Sequence, residues 1–523
     1  MADTEIKLLF LGLCSGDPEL IRHWCANGQL PHLRGFLGES LVGEAQALPG
    51  CYVGAHWPSF ISGSHPGHHG IHSWEQLRPG SYETYRCEAA TYSQRPPFWD
   101  ALSMAGKRLC MLDIPHSRIS EDINGLQTVE WGAHDAAYGF QTSTPELKAE
   151  ILERFGRHPV SGESDADRDA QALLEFRDEL LDGIRRKTQL TLHYLKQEPW
   201  DLFAQVFTEA HCAGHLFWHT HDIEHPRHAE VAGICSDLLL TVYQAIDEAL
   251  GEILEAVSAD TTVILLANHG IGPKYGAQHL LEPILLGLDV SAQRIQVPRP
   301  PGLRDRLDPI LTGAWQNLPA PLKMLLQPLR RRTVDWVTGD RRPQSLIDRA
   351  ASLCFPVQNN SASGAIRVNL MGREPAGRVQ PGAEYEALLD RLTNEFLALR
   401  NEETGMAIVD RVYRADEHYP GEARSQLPDL FIEWAATAPV AAVSSPTLAP
   451  VTGQYDYCRT GDHRPGGMYA ARAPYLRAGD VGPIVTCLDF APTISDFLGM
   501  PVQGLDGRTI DELLPAKAQA VAV

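Results

Sequence analysis

Twenty-one histidines in 523 residues is a high count, and many fall in two short stretches, His65-Pro66-Gly67-His68-His69 and His211 to His228. Neutral imidazole is the commonest side chain on a bound transition metal, so the clustering points to metal chemistry. The sharpest local signal is Thr208-Glu209-Ala210-His211-Cys212-Ala213-Gly214-His215, directly after the apolar run LFAQVF at 202–207. Histidines four residues apart fall on one face of a helical turn, so both rings can reach one ion. Two further pieces carry candidate chemistry. Asn268-His269-Gly270 follows the apolar run TVILLA, and Gly461-Asp462-His463-Arg464-Pro465-Gly466-Gly467 is a glycine-flanked loop with one histidine and one arginine.

Elements that would position these residues can be read from periodicity. KLLFLGL at 7–13 is almost continuously apolar and predicts a strand buried on both faces. DPELIRHWCANG predicts a helix with Asp17 as N-cap, Pro18 in the first turn and Gly28 at the stop. Further buried strands are expected at 108–113, 202–207 and 262–266, with helices at 167–198, 229–257 and 385–399. A last strand and helix are expected over 481–498. Strands alternating with helices predict an α/β fold, a doubly wound and mainly parallel central sheet. Ligands of such sheets gather at the carboxyl ends of the strands, where Thr208 and Asn268 would lie. From about 298 to 348 the composition shifts to prolines, arginines and short amphipathic pieces, which predicts a helical insertion or cap. The core is then 1–297 with 349–515, and 516–523 is a flexible tail.

The net formal charge is −21, with 45 Lys+Arg against 66 Asp+Glu. That excludes a general binder of nucleic acid or anionic membrane, while a small anionic substrate stays admissible beside a bound cation. The start, MADTEIKLLFLGL, has no basic region, long apolar segment or cleavage site of a secretory signal, and no apolar run is long enough to span a bilayer. The ten cysteines show no CxxC spacing. A cytoplasmic protein with reduced cysteines is expected, and homo-oligomerisation is left open.

Five stretches together resemble the alkaline phosphatase superfamily, in particular its type I phosphodiesterase/nucleotide pyrophosphatase branch. LFLGLCSGDPELI…GQLPHL is similar to the family's first strand and helix, and HWPSFISGSHPGHHGIHSW to its nucleophile-helix segment. NHGIG is similar to its Asp-His-Gly loop and GDHRPGG to its final histidine loop. LDFAPTISDFLGMPVQGLDGR matches the closing D-x-A-P-T…LG-x-P…DG-R stretch. The family uses two metals. Carried over position by position, the resemblance implies a first site of His211, His215 and His463, with His211 in place of an Asp. The second becomes Cys14, Val53, Asn268 and His269, so both carboxylates and the hydroxyl nucleophile are gone.

Three neutral imidazoles suit Zn²⁺ best and also Fe²⁺, Mn²⁺ or Cu²⁺, whereas the stripped second site has nothing to neutralise a hard dication. One metal is therefore expected, with the second position empty or occupied by substrate. Cys14 is a candidate thiolate nucleophile helped by His269, or simply packing. Glu209, two residues before His211, is a candidate general base or partner to a ligand histidine. Asn268, Arg464, His134 and His56 are candidate substrate contacts, with Arg464 placed to meet an anion. Ser59, Ser62 and His69 match structural positions of the family. His219, His221, His225 and His228 are read as a solvated face or edge, and Arg330-Arg331-Arg332 as a solvated face of the insertion. The resulting expectation is a mononuclear metal-dependent enzyme that hydrolyses or transfers a phosphate-ester-like or related anionic group through activated water. Two alternatives stand beside it: a catalytically dead binding scaffold, and a metalloenzyme repurposed for lyase or redox chemistry. Decay scatters losses, yet here one site is stripped while the other is rebuilt from histidines, which favours an enzyme.

Overall fold

A computed structural model describes residues 6–87, 95–132, 134, 139–160, 168–294, 345–454 and 458–515. Nearly all of the expected insertion, including Arg330 to Arg332, and the tail at 516–523 lie outside the described residues.

The centre of the molecule is a nine-stranded sheet. Its order is Val485–Thr486, Leu41–Gln46, Gly467–Arg472, Thr262–Ala267, Ile6–Leu13, Trp200–Phe207, Leu109–Leu112, Gly125–Val129, Gln141–Thr142. Five of the eight pairings are parallel and three antiparallel, so the sheet is mainly parallel. Ile6–Leu13 lies in the middle because its side chains are apolar on both sides. Leu8, Phe10 and Cys14 enter one core, and Leu9, Leu11 and Leu13 enter the other. The neighbours run parallel in level register, with Leu13 opposite Phe207 on one side and Ala267 on the other. Three strands thus end at one height, and Cys14, Thr208 and Asn268 emerge side by side there.

Helices pack where the pattern places them. Asp17 caps Pro18–Ala26 by accepting from the amides of Glu19 and Leu20. The long amphipathic helix is Ala170–Leu195. The helix expected at 229–257 starts later, at Leu238, because Asp237 caps it by accepting from Leu240 N; a short 3-10 turn at His228–Glu230 precedes it. A second, antiparallel sheet, in the order Cys354–Pro356, Ser363–Val368, Leu430–Trp434, Val409–Arg414, belongs to the same core as the helix Ala383–Ala398 and was not foreseen as a separate layer. No helix among the described residues is long and apolar enough to cross a membrane.

Candidate metal centre

The strand Trp200–Phe207 runs into the helix Glu209–His221, which is buried from its first turn to Thr220. His211 and His215 face the same side of it. Opposite them, Gly270–Pro273 pairs antiparallel with Gly461–Arg464, placing His463 across from Ile271. This hairpin sits hard on the helix: a Cβ on Gly461 would lie 2.0 Å from the Gly214 carbonyl oxygen, and a Cβ on Gly214 would lie 2.6 Å from the Ile271 side chain. Only glycine at both contacts lets the two backbones close up. Thr460 N then donates to the His215 carbonyl at 2.9 Å, which fixes the hairpin's height on the helix.

The three rings meet with centroids 4.6 to 4.7 Å apart and planes at 56°, 71° and 89° to one another. His215 Nε2 and His463 Nε2 are 3.1 Å apart. His215 Nδ1 donates to the Gly461 carbonyl at 2.8 Å, which leaves the Nε2 lone pair for a ligand. Ser15 Oγ lies 3.1 Å from His211 Nδ1 and 3.3 Å from His463 Nδ1. Burial, reinforced by the neighbouring imidazoles, holds His211 and His463 well below the ordinary histidine range, so both are neutral in water. Splayed, neutral rings with anchored Nδ1 atoms are what a tetrahedral ion with one open position requires, and the set fits a transition metal.

A second group of donors shares His211. Cys14 Sγ is 3.6 Å from His134 Nε2 and 3.9 Å from His211 Nδ1. These spacings suit a shared ion, but the His134 and His211 rings stack at 3.7 Å with planes only 7° apart. An imidazole lone pair lies in its ring plane, so parallel rings cannot both aim at one ion. The splayed set is the better metal site.

The position beside it is uncharged. Asn268 Oδ1 accepts from Ser15 N at 2.8 Å, which orients the amide and makes Nδ2 a buried donor with no partner. His269 sits 4.6 Å from His463 and is pushed down to about 4, chiefly by burial. His56 packs edge-on to His269 at 6.0 Å, is held well below its ordinary range by burial, and has an unpartnered Nε2. Val53, half-buried in the first turn of the helix Tyr52–Ser62, offers only methyl groups.

Of the ten residues proposed from sequence, the structure gathers His211, His215, His463, His269, Asn268, Cys14, His134 and His56 around one point, and removes two. Glu209 is no general base. It is 1% exposed, with Oε1 3.0 Å from Lys187 Nζ and 3.3 Å from His158 Nε2. Burial alone would raise its carboxyl, but Lys187 and His158 outweigh that and bring it down to about 2, so it holds a proton too weakly to shuttle one. Arg464 does not meet the centre either. Strand alternation turns it away from His463, and it bonds Asp17 at 2.8 Å and Glu19 at 3.1 Å. The partner expected for Cys14 also changes: Trp57 Nε1 donates to its sulfur at 3.4 Å and His134 lies beside it, while His269 lies against His463.

The later histidines are not a solvated face. His219 and His225 are buried; His219 Nδ1 is 2.9 Å from Thr460 Oγ1, and His225 stacks on Tyr275. His221 bonds Asp237 at 2.6 Å and His228 Nδ1 donates to the His219 carbonyl at 2.8 Å. His69 bonds Ser59 at 2.8 Å within the core. Two residues were missed. Ser15 carried a signal, a hydroxyl at a strand's carboxyl end, whereas Lys187 looks like any lysine on an amphipathic helix.

Residues 8–288 match the type I phosphodiesterase / nucleotide pyrophosphatase family. Similar solved structures include mouse ectonucleotide pyrophosphatase/phosphodiesterase 5, an inactive form in complex with AMP. It is 12% identical, with 98% of this chain and 100% of that chain covered and a TM-score of 0.50. Phosphonoacetate hydrolase from Sinorhizobium meliloti, in complex with phosphonoformate, is 12% identical over 93% and 94% of the two chains, with a TM-score of 0.48. No curated protein matches the sequence. With more than half of its length under the family's pattern, the chain belongs to the type I phosphodiesterase / nucleotide pyrophosphatase family, on an alkaline phosphatase-like α/β fold.

Proposed function

We propose that this protein is a single-metal hydrolase of a phosphate-ester-like or related anionic group, with water rather than a side chain as the attacking species. The observation that carries the proposal is the contrast at one strand edge: three convergent, neutral, Nδ1-anchored imidazoles beside a nucleophile position filled by Val53. Zn²⁺ fits the all-imidazole set best, with Fe²⁺ and Mn²⁺ as alternatives, and bound there it would supply Lewis-acid polarisation and water activation near neutral pH. The protein's own part is to orient. Asn268 Nδ2 and His56 Nε2 are buried polar atoms able to donate to anionic oxygens, and beside them Val53 and His269 offer no carboxylate to hold a hard cation. Removing side-chain attack collapses two displacements into one.

The stereochemistry of that displacement is the test. On a phosphodiester chiral at phosphorus, one in-line displacement by water inverts configuration, and the proposal expects inversion. Retention would overturn it and favour a second reading, in which the Cys14 thiol, paired with His134 at 3.6 Å, forms a covalent intermediate. Purified protein that binds no transition metal even after supplementation would instead leave a binding scaffold.

A further inference from the structure

We infer that Ser15 is a positioning residue: its hydroxyl clasps the Nδ1 atoms of both His211 and His463 and so fixes which nitrogen each presents to the ion. The inference rests on the metal-centre reading above. A serine oxygen has two acceptor lone pairs, and Ser15 Oγ has two imidazole nitrogens within reach, at 3.1 and 3.3 Å. With an ion bound, both imidazoles would donate and each would keep its lone pair on Nε2. His215 reaches the same state through the Gly461 carbonyl at 2.8 Å. One hydroxyl and one carbonyl thereby set three tautomers alike. Without an ion, His215 Nε2 accepts from His463 Nε2 at 3.1 Å, and Ser15 donates to His463 Nδ1 while accepting from His211 Nδ1.

The backbone supports a purpose for this hydroxyl. Ser15 has φ 57°, in the left-handed region where a Cβ is unfavourable and glycine is not. It is fully buried, and ties on both sides of the residue hold it: its amide donates to Asn268 Oδ1 at 2.8 Å and its carbonyl accepts from Tyr243 Oη at 3.2 Å. A non-glycine residue held on both sides in the left-handed region points to a role for its side chain.

A nucleophilic Ser15 is the competing role, and tautomer chemistry opposes it. To take the Ser15 proton, His211 Nδ1 would have to be the acceptor. The ring's own proton would then sit on Nε2, and the ligand lone pair would be gone.

The experiment combines zinc and cobalt titration of the full chain with ¹⁵N NMR of the histidine rings in the metal-free protein, for wild type, Ser15→Ala and Ser15→Gly. Loss of a group that orients metal ligands lowers affinity roughly 10- to 100-fold, and both variants are expected to show it. Metal-free wild type should show His211 as the Nδ1–H tautomer, and the variants should show a mixture. Ser15→Gly adds a readout that a merely structural residue would not give. Its metal-free melting temperature should not fall, because the left-handed backbone is relieved, while its metal affinity does fall. It also keeps the test alive should Ser15→Ala fail to fold. Unchanged affinity and unchanged tautomers in Ser15→Gly would overturn the clasp while leaving the metal centre intact. A wild type that binds neither ion but shows the tautomer change in Ser15→Gly would leave the clasp standing and remove the metal reading.

Discussion

Two ion-sized positions lie side by side at the ends of the same three strands, and they have been built by opposite rules. At one, every donor is an imidazole, the rings are splayed, and each Nδ1 has a partner. At the other, a thiol, an amide, a valine and a low-pKa histidine offer polarity without charge. The scaffold that brings them together is the same, so the difference is chemical. A site for a borderline cation needs oriented lone pairs and a site for a hard cation needs carboxylates; without them, the proposed function gives the second place to an anion's oxygens.

The largest way to break the comparison is to remove a ligand. His215→Ala and His463→Ala should each cut metal content from about one equivalent to near none by elemental analysis. Hydrolysis should fall roughly 10³-fold or more, since several kcal/mol of charge stabilisation go with the ion. Next comes a buried ion pair that borders the ligand helix. Lys187→Ala leaves Glu209 charged with only His158 beside it, which should cost up to about 3–5 kcal/mol in denaturant unfolding, and Lys187→Met with Glu209→Leu should restore much of it.

Neutral imidazoles outside the centre give a pH test of moderate size. His69 and His72 are both pushed down to about 3, mainly by burial. Their folded pKa lies below the unfolded value near 6.5, so the stability they contribute is complete above about pH 6.5 and is lost as pH falls toward 3. Metal-free protein should therefore weaken by up to about 1.4 kcal/mol per histidine for each pH unit, read in the part of that window above about pH 5, before most carboxylates titrate. The smallest change sharpens the comparison directly. Cys14→Asp with Asn268→Asp returns two carboxylates to the stripped position, and the variant should take up a second equivalent, of zinc or magnesium, that wild type does not.

Much of this was legible in the sequence because it is local. The run KLLFLGL could only be a doubly buried strand, and His211 and His215 declared themselves by their spacing. The failures share one cause, a partner from a distant element. Glu209 looked like a base because His211 is its neighbour in sequence, but Lys187 comes from the preceding helix and neutralises its role. Arg464 sits next to His463 yet points to Asp17 at the other end of the chain. His219 and His221 read as polar surface until Thr460 and Asp237 fold over them. Ser15 had the right type and place, but its two imidazoles stand 196 and 448 residues away.

The hairpin that delivers His463 has a consequence for how the protein comes into being. Residues 461–464 are made some 250 residues after the helix on which they dock. A ribosome-bound chain with everything before them holds two of the three donors and no complete chelate. On the proposed function, a complete metal site forms only once translation has delivered the closing strands. An ion held there would bridge early and late segments, and its binding free energy would add to the cost of pulling them apart. Zinc uptake during refolding would thus report the last event of assembly.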